Sequence, residues 1–314
     1  MDWAQLAAHS EAVVVRLNHR LGVFGFLDAG VRGLMDNVAV QDVLLALSWI
    51  KQNAIALQVD PGSMVALGLG SGAYLLCLLM MSSAKAVFTR ALLQGPCTTT
   101  PLPRNSPQTG RVYLERMSRH LNCSSRRIAG QAKCLREASA EDVLRISREL
   151  EGPLRFVPSP FNGDVLSTLH ETAHFDGVKL LLGSDVTEGK RLYDDVIFAF
   201  LTASGNASVP GLANIFLAVM SLMKGDTSEF EAAAFERAFK NTTRSEFEEC
   251  LVHMWTTCSS KMLADEVTEK GGSLFHYVVN STLPYDMPLT LQEISGFLIR
   301  GQVPAFVVFS CSAQ

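Results

Sequence analysis

Apolar stretches broken by glycines and polar turns divide the chain, and the clearest one runs from Met64 to Met81 without a charged residue. A run of about 18 such residues meets the usual threshold for a transmembrane helix. However, Gly68, Gly70 and Gly72 lie in its middle and Asp60-Pro61 precedes it. Glycines allow the chain to reverse sharply, so the pattern favours a buried strand, a tight turn and a buried helix.

Shorter apolar segments predict further strands and helices along the chain. Runs rich in β-branched, aromatic or leucine residues predict buried strands at 10–17, 88–94, 179–184 and 273–279. Helical spacing of apolar residues predicts a helix at 36–53, with Asp36 or Asn37 as its cap. The same spacing predicts helices at 112–121, 140–150, 197–223, 229–240 and 246–267. Residues 18–27 and 96–108 are predicted to be loops, and 153–164 to be extended.

The alternation of strands and helices predicts an α/β fold with a mostly parallel central sheet and helices on both faces. Right-handed crossovers would place the turn at Gly68–Gly72 on the carboxyl edge of the sheet, where ligands bind in open α/β proteins. The chain has 314 residues, 48% of them hydrophobic, so it can bury one large core. A single domain over residues 1–314 is favoured over two small ones.

Charge and metal-ligand spacing argue against several classes of partner. The formal net charge is −4 and the isoelectric point is near 6.0, whereas a nucleic-acid-binding protein needs a basic face. Paired C-x-x-C or H-x-x-x-H spacings, which zinc sites use, do not occur in the sequence. No metal, cofactor, nucleic acid partner or transmembrane segment is therefore expected.

The glycine-rich turn is similar to the strand–turn–helix that presents the nucleophile of α/β-hydrolases, usually G-x-S-x-G. Here the segment is Gly68-Leu69-Gly70-Ser71-Gly72, so glycine occupies the middle position and the serine comes one residue late. A shift of one residue is expected to turn the Ser71 side chain into the helix packing, which makes it an unlikely substitute nucleophile. Glycine at position 70 would also relieve the backbone strain of such a turn.

Several motifs in the same order resemble the type-B carboxylesterase/cholinesterase family of α/β-hydrolases. They comprise Val14–Leu27, Asn37, Asp42, Leu47–Ile50, Asp60-Pro61, Phe88–Gln94 and Phe161–Asp164. The resemblance begins well inside the family's domain and stops before its end, so the fold is expected to be incomplete at both ends. It also implies that the family's oxyanion loop, whose N–H donors contribute strongly to acyl-transfer catalysis, lies upstream of Met1.

The resemblance further assigns the positions of a catalytic triad. It implies a nucleophile position at Gly70, where the serine is lost, and a retained acid at Glu188, within Gly183–Gly189. The family's histidine should fall in a block whose nearest match, Leu298–Phe309, contains no histidine. His276, in a predicted strand, and His253, in a predicted helix, are each interpreted as a structural or surface residue.

Two functional hypotheses follow from this comparison. In the first, the protein has lost the nucleophilic serine and the catalytic histidine and is a non-catalytic extracellular binding or adhesion-type protein, as neuroligin-like members of the family are. A protein partner would then bind through the esterase-fold surface, with an unknown oligomeric state. In the second, the chain is a fragment or divergent isoform of a serine carboxylic-ester hydrolase. An incomplete product without stable function is a third, less informative possibility.

N-glycosylation sequons and cysteines bear on the compartment. Sequons occur at Asn122, Asn206, Asn241 and Asn280, where chance would give roughly one or two. They favour the secretory pathway or the extracellular space, although residues Met1–His9 do not resemble a signal peptide.

The family resemblance also assigns roles to some of the seven cysteines. It implies a disulfide between Cys123 and Cys134 and a partner for Cys258 beyond Gln314. Cys77, within the helix that follows the turn, is interpreted as a small buried apolar residue.

Overall fold

The computed structural model describes most of the N-terminal half of the chain and separate parts of the C-terminal half. The described residues are 3–35, 37–81, 88–95, 97, 107–150, 175–185, 193–194, 211–212, 236–253, 258–279 and 305–310. The predicted helix at 197–223, all but the end of that at 229–240, and the motif Phe161–Asp164 lie outside them. The prediction of a single domain over the whole chain stays a prediction.

Five helices and two strands are described between Trp3 and Met81. The helices there are α1 (Trp3–Ser10), α2 (Gly22–Phe26), α3 (Val38–Gln52), α4 (Ala54–Leu57) and α5 (Ser71–Met81). The strands are β1 (Val13–Leu17) and β2 (Val65–Leu69), and a short 3-10 turn, Pro61–Ser63, leads into β2.

The remaining described elements are three helices between two strands, then two helices and two strands. They are β3 (Arg90–Gln94), α6 (Pro107–His120), α7 (Ile128–Glu137), α8 (Ala140–Leu150), β4 (Lys179–Asp185), α9 (Arg244–Val252), α10 (Cys258–Glu269), β5 (Ser273–Val279) and β6 (Ala305–Ser310).

Six parallel strands form one sheet in the order β1-β6-β2-β3-β4-β5. Each strand named in the sequence prediction is present, and the parallel arrangement confirms the predicted α/β class. Because the strands all point the same way, the carboxyl ends of β2, β3, β4 and β5 lie along one edge.

β6 lies outside the strands that the apolar runs predict. The structure places it between β1 and β2, with Ala305 beside Val13 and Phe306 beside Val65. Its composition, two phenylalanines and two valines after a proline, carries a strand signal. No local pattern, however, indicates that a segment so far along the chain pairs with the first two strands.

Helices cover both faces of the sheet, as predicted. On one face a large apolar cluster joins α3, α5 and α10 to β3 and β4, and Leu47, Leu76 and Leu263 are completely buried there. On the other face Leu6 of α1 packs with Leu67 and Leu92 of the sheet. A separate apolar cluster holds α6, α7 and α8 together.

Three predicted boundaries differ from the structure. Residues 22–26 of the predicted loop form α2, because Gly25 lets the chain pass close to the Arg20 carbonyl, with which a Cβ would clash. Ser10 ends α1 and does not begin the strand. The single helix predicted at 246–267 corresponds to two helices, the first of which begins at Arg244 because Thr243 and Glu246 form a capping box.

Candidate functional site

The glycine-rich turn has the predicted strand–turn–helix geometry. β2 ends at Leu69, Gly70 turns with φ +55°, and α5 begins at Ser71. The Gly70 N–H donates to the Gln94 carbonyl at 2.7 Å, and the Gly70 carbonyl accepts from the Tyr74 N–H at 3.2 Å. The transmembrane alternative for this segment is therefore wrong. Across the described ranges, no helix is both long enough and apolar enough to cross a bilayer.

Gly68 and Gly70 have different roles in the turn. A Cβ on Gly68 would lie 2.7 Å from the Cα and N of Ala73, so only glycine lets β2 pack against the first turn of α5. A Cβ on Gly70 would meet nothing within 4 Å, although the positive φ disfavours any side chain there. Position 70 therefore offers open space at the carboxyl edge of the sheet.

Ser71 does not lie where the sequence pattern places it. Its side chain is exposed, whereas the residues that follow it in α5 are buried. The expectation that Ser71 would be turned into the helix packing is therefore wrong. The physical reason is that Ser71 is the first residue of α5, at the rim of the sheet, before the helix enters the apolar cluster.

Backbone hydrogen bonds join the carboxyl ends of three neighbouring strands at this edge. Gly70 after β2 donates to Gln94 of β3, and Gly95 donates to the Gly183 carbonyl of β4 at 3.1 Å. A Cβ on Gly95 would lie 3.0 Å from the Gly70 Cα, so the two turns are in close contact. Glu188, the predicted acid, follows β4 but lies outside the described residues, and its role stays a prediction.

A serine and a histidine meet at the same edge, two strands away from Gly70. The Ser184 Oγ of β4 lies 2.7 Å from the His276 Nε2 of β5. Ser184 is only 1% exposed, whereas the imidazole is partly exposed. Partial burial lowers the pKa of His276, which favours the neutral ring that can accept the serine proton.

Sequence reasoning missed Ser184. The two residues are far apart in the chain, and only the pairing of β4 with β5, in which Leu182 faces His276, brings them together. By contrast, His253 lies on the surface, and its Nε2 is 3.8 Å from the Glu249 Oε1 one helical turn before it. This position agrees with its interpretation as a structural or surface residue.

Two disulfides are present in the described residues. Cys123–Cys134 confirms the bond that the resemblance implied, with the Cα atoms 6.1 Å apart. Cys77 is fully buried, as interpreted, but it is bonded to Cys97 and does not act only as a small apolar residue. This bond joins the middle of α5 to the segment just after β3. No sequence pattern signals it directly, because the pairing depends on how α5 packs against β3.

An ion pair joins Arg20 and Asp42, which belong to two of the motifs that carry the family resemblance. Arg20, which follows β1, donates from its Nε to the Asp42 Oδ2 of α3 at 2.9 Å, and its backbone N–H donates to the same oxygen at 3.0 Å. Hydrogen bonding to Arg20 lowers the pKa of the Asp42 carboxyl. The pair therefore ties the chain after the first strand to the helix that covers the sheet.

The described parts of the chain bring together no group of three or more His, Cys, Asp or Glu residues that could hold a metal ion. Of the four sequons, Asn122 and Asn241 are described, and both are exposed. Asn206 and Asn280 lie outside the described residues, and the Cys258 side chain is likewise not described.

Comparison with known proteins agrees with the fold. The sequence model described as "Carboxylesterase family" matches residues 1–293. Carboxylesterase 5A of Felis catus is 27% identical over 218 residues, which cover 69% of this chain and 40% of the relative. Para-nitrobenzyl esterase of Bacillus subtilis is 32% identical over 152 residues, which cover 48% of this chain and 29% of the relative.

The chain is also similar to a protein that is not named as an esterase. Neuroligin-3 of Mus musculus is 26% identical over 205 residues, covering 63% of this chain and 24% of the relative. In all three comparisons the matched part of the chain spans less than half of the relative's length.

Proposed function

This chain belongs to the carboxylesterase family, and we propose that it is a non-catalytic member of that family that works by binding another molecule. The observation that carries the proposal is the residue at position 70. The turn has the backbone shape that presents a nucleophile in α/β-hydrolases, with a positive φ and open space, but glycine supplies no side chain there.

The histidine that the family resemblance requires supports the same proposal. Its block, Leu298–Phe309, contains no histidine, and no histidine follows His276 in the sequence. Acyl transfer by a serine needs a neighbouring base to accept its proton. With Gly70 at the nucleophile position and no base in the matching block, Glu188 would be the one triad position that retains a suitable side chain.

Binding outside the cell is the role that the remaining features favour. Two disulfides fit an oxidising compartment, and the exposed Asn122 and Asn241 could both carry glycans there. Similarity to a neuroligin as well as to carboxylesterases fits a family scaffold that can serve binding. A protein partner through the surface of this fold remains part of the proposal.

The proposal predicts that the purified chain does not hydrolyse short-chain p-nitrophenyl esters above the buffer rate. Para-nitrobenzyl esterase of Bacillus subtilis, assayed in parallel, is the positive control. Ser71→Ala is the matched variant, because Ser71 is exposed beside the turn. Hydrolysis by the wild-type chain that disappears in Ser71→Ala would show that the displaced serine acts, and the proposal would be abandoned.

One observation favours the alternative of a serine ester hydrolase. Ser184 and His276 have the contact of a nucleophile and its base, 2.7 Å between Oγ and Nε2. Ser184 is almost completely buried, however, so a substrate would need an opening to reach its oxygen. Under this alternative, hydrolysis would survive Ser71→Ala and be lost in both Ser184→Ala and His276→Asn. Under the main proposal none of the three variants changes the rate.

A further inference from the structure

The strongest charge asymmetry of the molecule lies in α6, α7 and the turn between them, residues Pro107–Glu137, which we call the basic hairpin. It contains seven Lys or Arg and two Asp or Glu, a net charge of +5, in a chain whose formal net charge is −4. The rest of the chain is therefore strongly acidic. Averaging over the whole sequence hides this separation of charge.

The positive charges of the basic hairpin all point outward. Its seven Lys and Arg residues are exposed, while apolar residues of α6 and α7 such as Leu114, Met117 and Leu135 pack into the cluster shared with α8. The disulfide Cys123–Cys134 joins the turn after α6 to α7. The structure therefore holds a set of cations on a scaffold with little freedom, which lowers the entropy lost when a ligand binds.

Two arginines, one from each helix, donate hydrogen bonds to the loop that contains Ala29 and Gly33. The Arg111 Nε donates to the Ala29 carbonyl at 2.9 Å, and the Arg136 Nη1 donates to the Gly33 carbonyl at 3.0 Å. A guanidinium has five N–H donors, so each arginine keeps donors for an anion after these contacts. Both side chains are therefore held in place by uncharged partners, and their charges are not neutralised by them.

Three further arginines have no carboxylate within ion-pair distance in the described part of the chain. Arg116 lies on α6, and Arg126 and Arg127 lie in the turn before α7. The pairs that do occur, Arg119 with Glu115 at 3.1 Å and Lys133 with Glu137 at 3.7 Å, lie on the surface, where ion pairs are weak. An anionic ligand can compete with such pairs.

We propose that the basic hairpin is a binding surface for a sulfated polysaccharide, contacted mainly by Arg116, Arg126 and Arg127. Two disulfides fit an oxidising compartment, where nucleic acid is not the usual polyanion. The hairpin's Tyr113 is buried, and no Phe or Trp occurs in it, so the imidazole of His120 is the one exposed ring there, too small a platform for a series of stacked bases. Val112 is its one strongly exposed large apolar residue, too little for insertion into a lipid surface. This inference goes beyond the function proposed above, because it holds whether or not the chain hydrolyses esters.

The test is binding of a size-defined heparin oligosaccharide to the full chain, with N-glycans removed, at about 0.15 M NaCl. The variant Arg116→Gln/Arg126→Gln/Arg127→Gln should bind about tenfold or more weakly, with a shallower dependence of log Kd on log salt concentration. The matched control Lys51→Gln/Arg148→Gln/Lys261→Gln removes three exposed cations outside the hairpin. It should bind within about twofold of the wild type, because binding depends on contacts more than on net charge.

A second measurement avoids variants. Heparin should protect Arg116, Arg126 and Arg127 of the wild-type chain from phenylglyoxal, while Arg148 on α8 stays reactive. The proposal is overturned if heparin does not bind, if both triple variants lose affinity equally, or if protection falls outside the hairpin. It is also overturned if single-stranded RNA of equal charge binds more tightly than heparin at the same salt concentration.

Discussion

Two regions of the molecule are each closed by a disulfide, yet they differ in almost every other respect. Cys77–Cys97 lies behind the glycine-rich turn, with both cysteines fully buried in the large apolar cluster. Cys123–Cys134 lies in the basic hairpin, among exposed charges. The first region is a strand–turn–helix with glycine at its turn and open space above it. The second has many exposed charges on a simple helical scaffold.

The two regions differ in the polar side chains that they expose to other molecules. At the turn, glycines, backbone hydrogen bonds and a buried disulfide all serve packing, and the residues there offer few polar side chains. In the hairpin, packing uses one face only and leaves the other to charged residues. We therefore assign structural support to the turn and contact with other molecules to the surface.

The largest expected effect separates the two disulfides by stability. Chain entropy predicts about 3 kcal/mol for either bond, because the closed loops of 20 and 11 residues differ by only about 0.5 kcal/mol. Cys77→Ala/Cys97→Ala also leaves a cavity in the core, so we expect a loss of about 4–5 kcal/mol. Cys123→Ala/Cys134→Ala should lose about 2–3 kcal/mol. Urea unfolding of both variants measures the free energies, and equal losses would contradict the assigned difference in burial.

A second comparison adds one methyl group in each region. Gly68→Ala should cost about 2–3 kcal/mol, because the new Cβ would lie 2.7 Å from backbone atoms of Ala73 that cannot move alone. In the hairpin, the Cβ of Gly130→Ala would clash with the Ser125 Oγ and lie 2.6 Å from the Ser125 Cβ, so Ser125 and the turn that carries it must shift, at a cost of about 1 kcal/mol. Alanine also gains about 1 kcal/mol of helix propensity in α7, so this change should be near neutral. Thermal unfolding measures the stability of both variants. A larger loss for Gly130→Ala than for Gly68→Ala would contradict the claim that the turn is packed more tightly than the hairpin.

The smallest effects concern ion pairs. Asp42→Asn should lose about 1 kcal/mol at neutral pH, because Arg20 loses the negative charge of its partner and one of the two acceptor oxygens, and the exposure of Arg20 limits the loss. Glu115→Gln, in the hairpin, should lose only about 0.3 kcal/mol, because both partners are exposed.

The pH dependence follows from the lowered pKa of Asp42. Its stabilisation is present above the unfolded pKa of about 3.9 and is lost as the pH falls through the lower folded value. The difference between the wild type and Asp42→Asn should therefore shrink in acid, when measured by urea unfolding from pH 7 to pH 3. A difference that stays constant over this range would mean that the carboxylate charge does not stabilise the fold.

The sequence predicted what local patterns determine. Apolar runs identified β1 to β5, and the glycines between Gly68 and Gly72 identified the turn, because these features depend on residues close together in the chain. It did not predict the position of β6, the bond from Cys77 to Cys97, or the contact of Ser184 with His276. Each of these depends on which distant segments become neighbours in the sheet, and no single stretch of residues encodes that.

Exposure at the site is also hard to predict. The pattern suggests a buried Ser71 because one residue of displacement changes the direction of a side chain. The start of α5 lies at the rim of the sheet, however, where helix packing has not yet begun. The positive charge of the basic hairpin can be detected in the sequence, but only when the net charge is counted for short segments and not for the whole chain.

Labelling with a fluorophosphonate tests the central claim most directly, because the reagent reacts with serines that a neighbouring base has activated. The wild-type chain would be incubated with the reagent, and its intact mass then measured beside that of an active carboxylesterase. We predict no mass increase in the chain and one adduct in the control enzyme. One adduct on the wild-type chain, located by peptide mapping at Ser71 or Ser184, would contradict the claim that this family member carries no activated nucleophile.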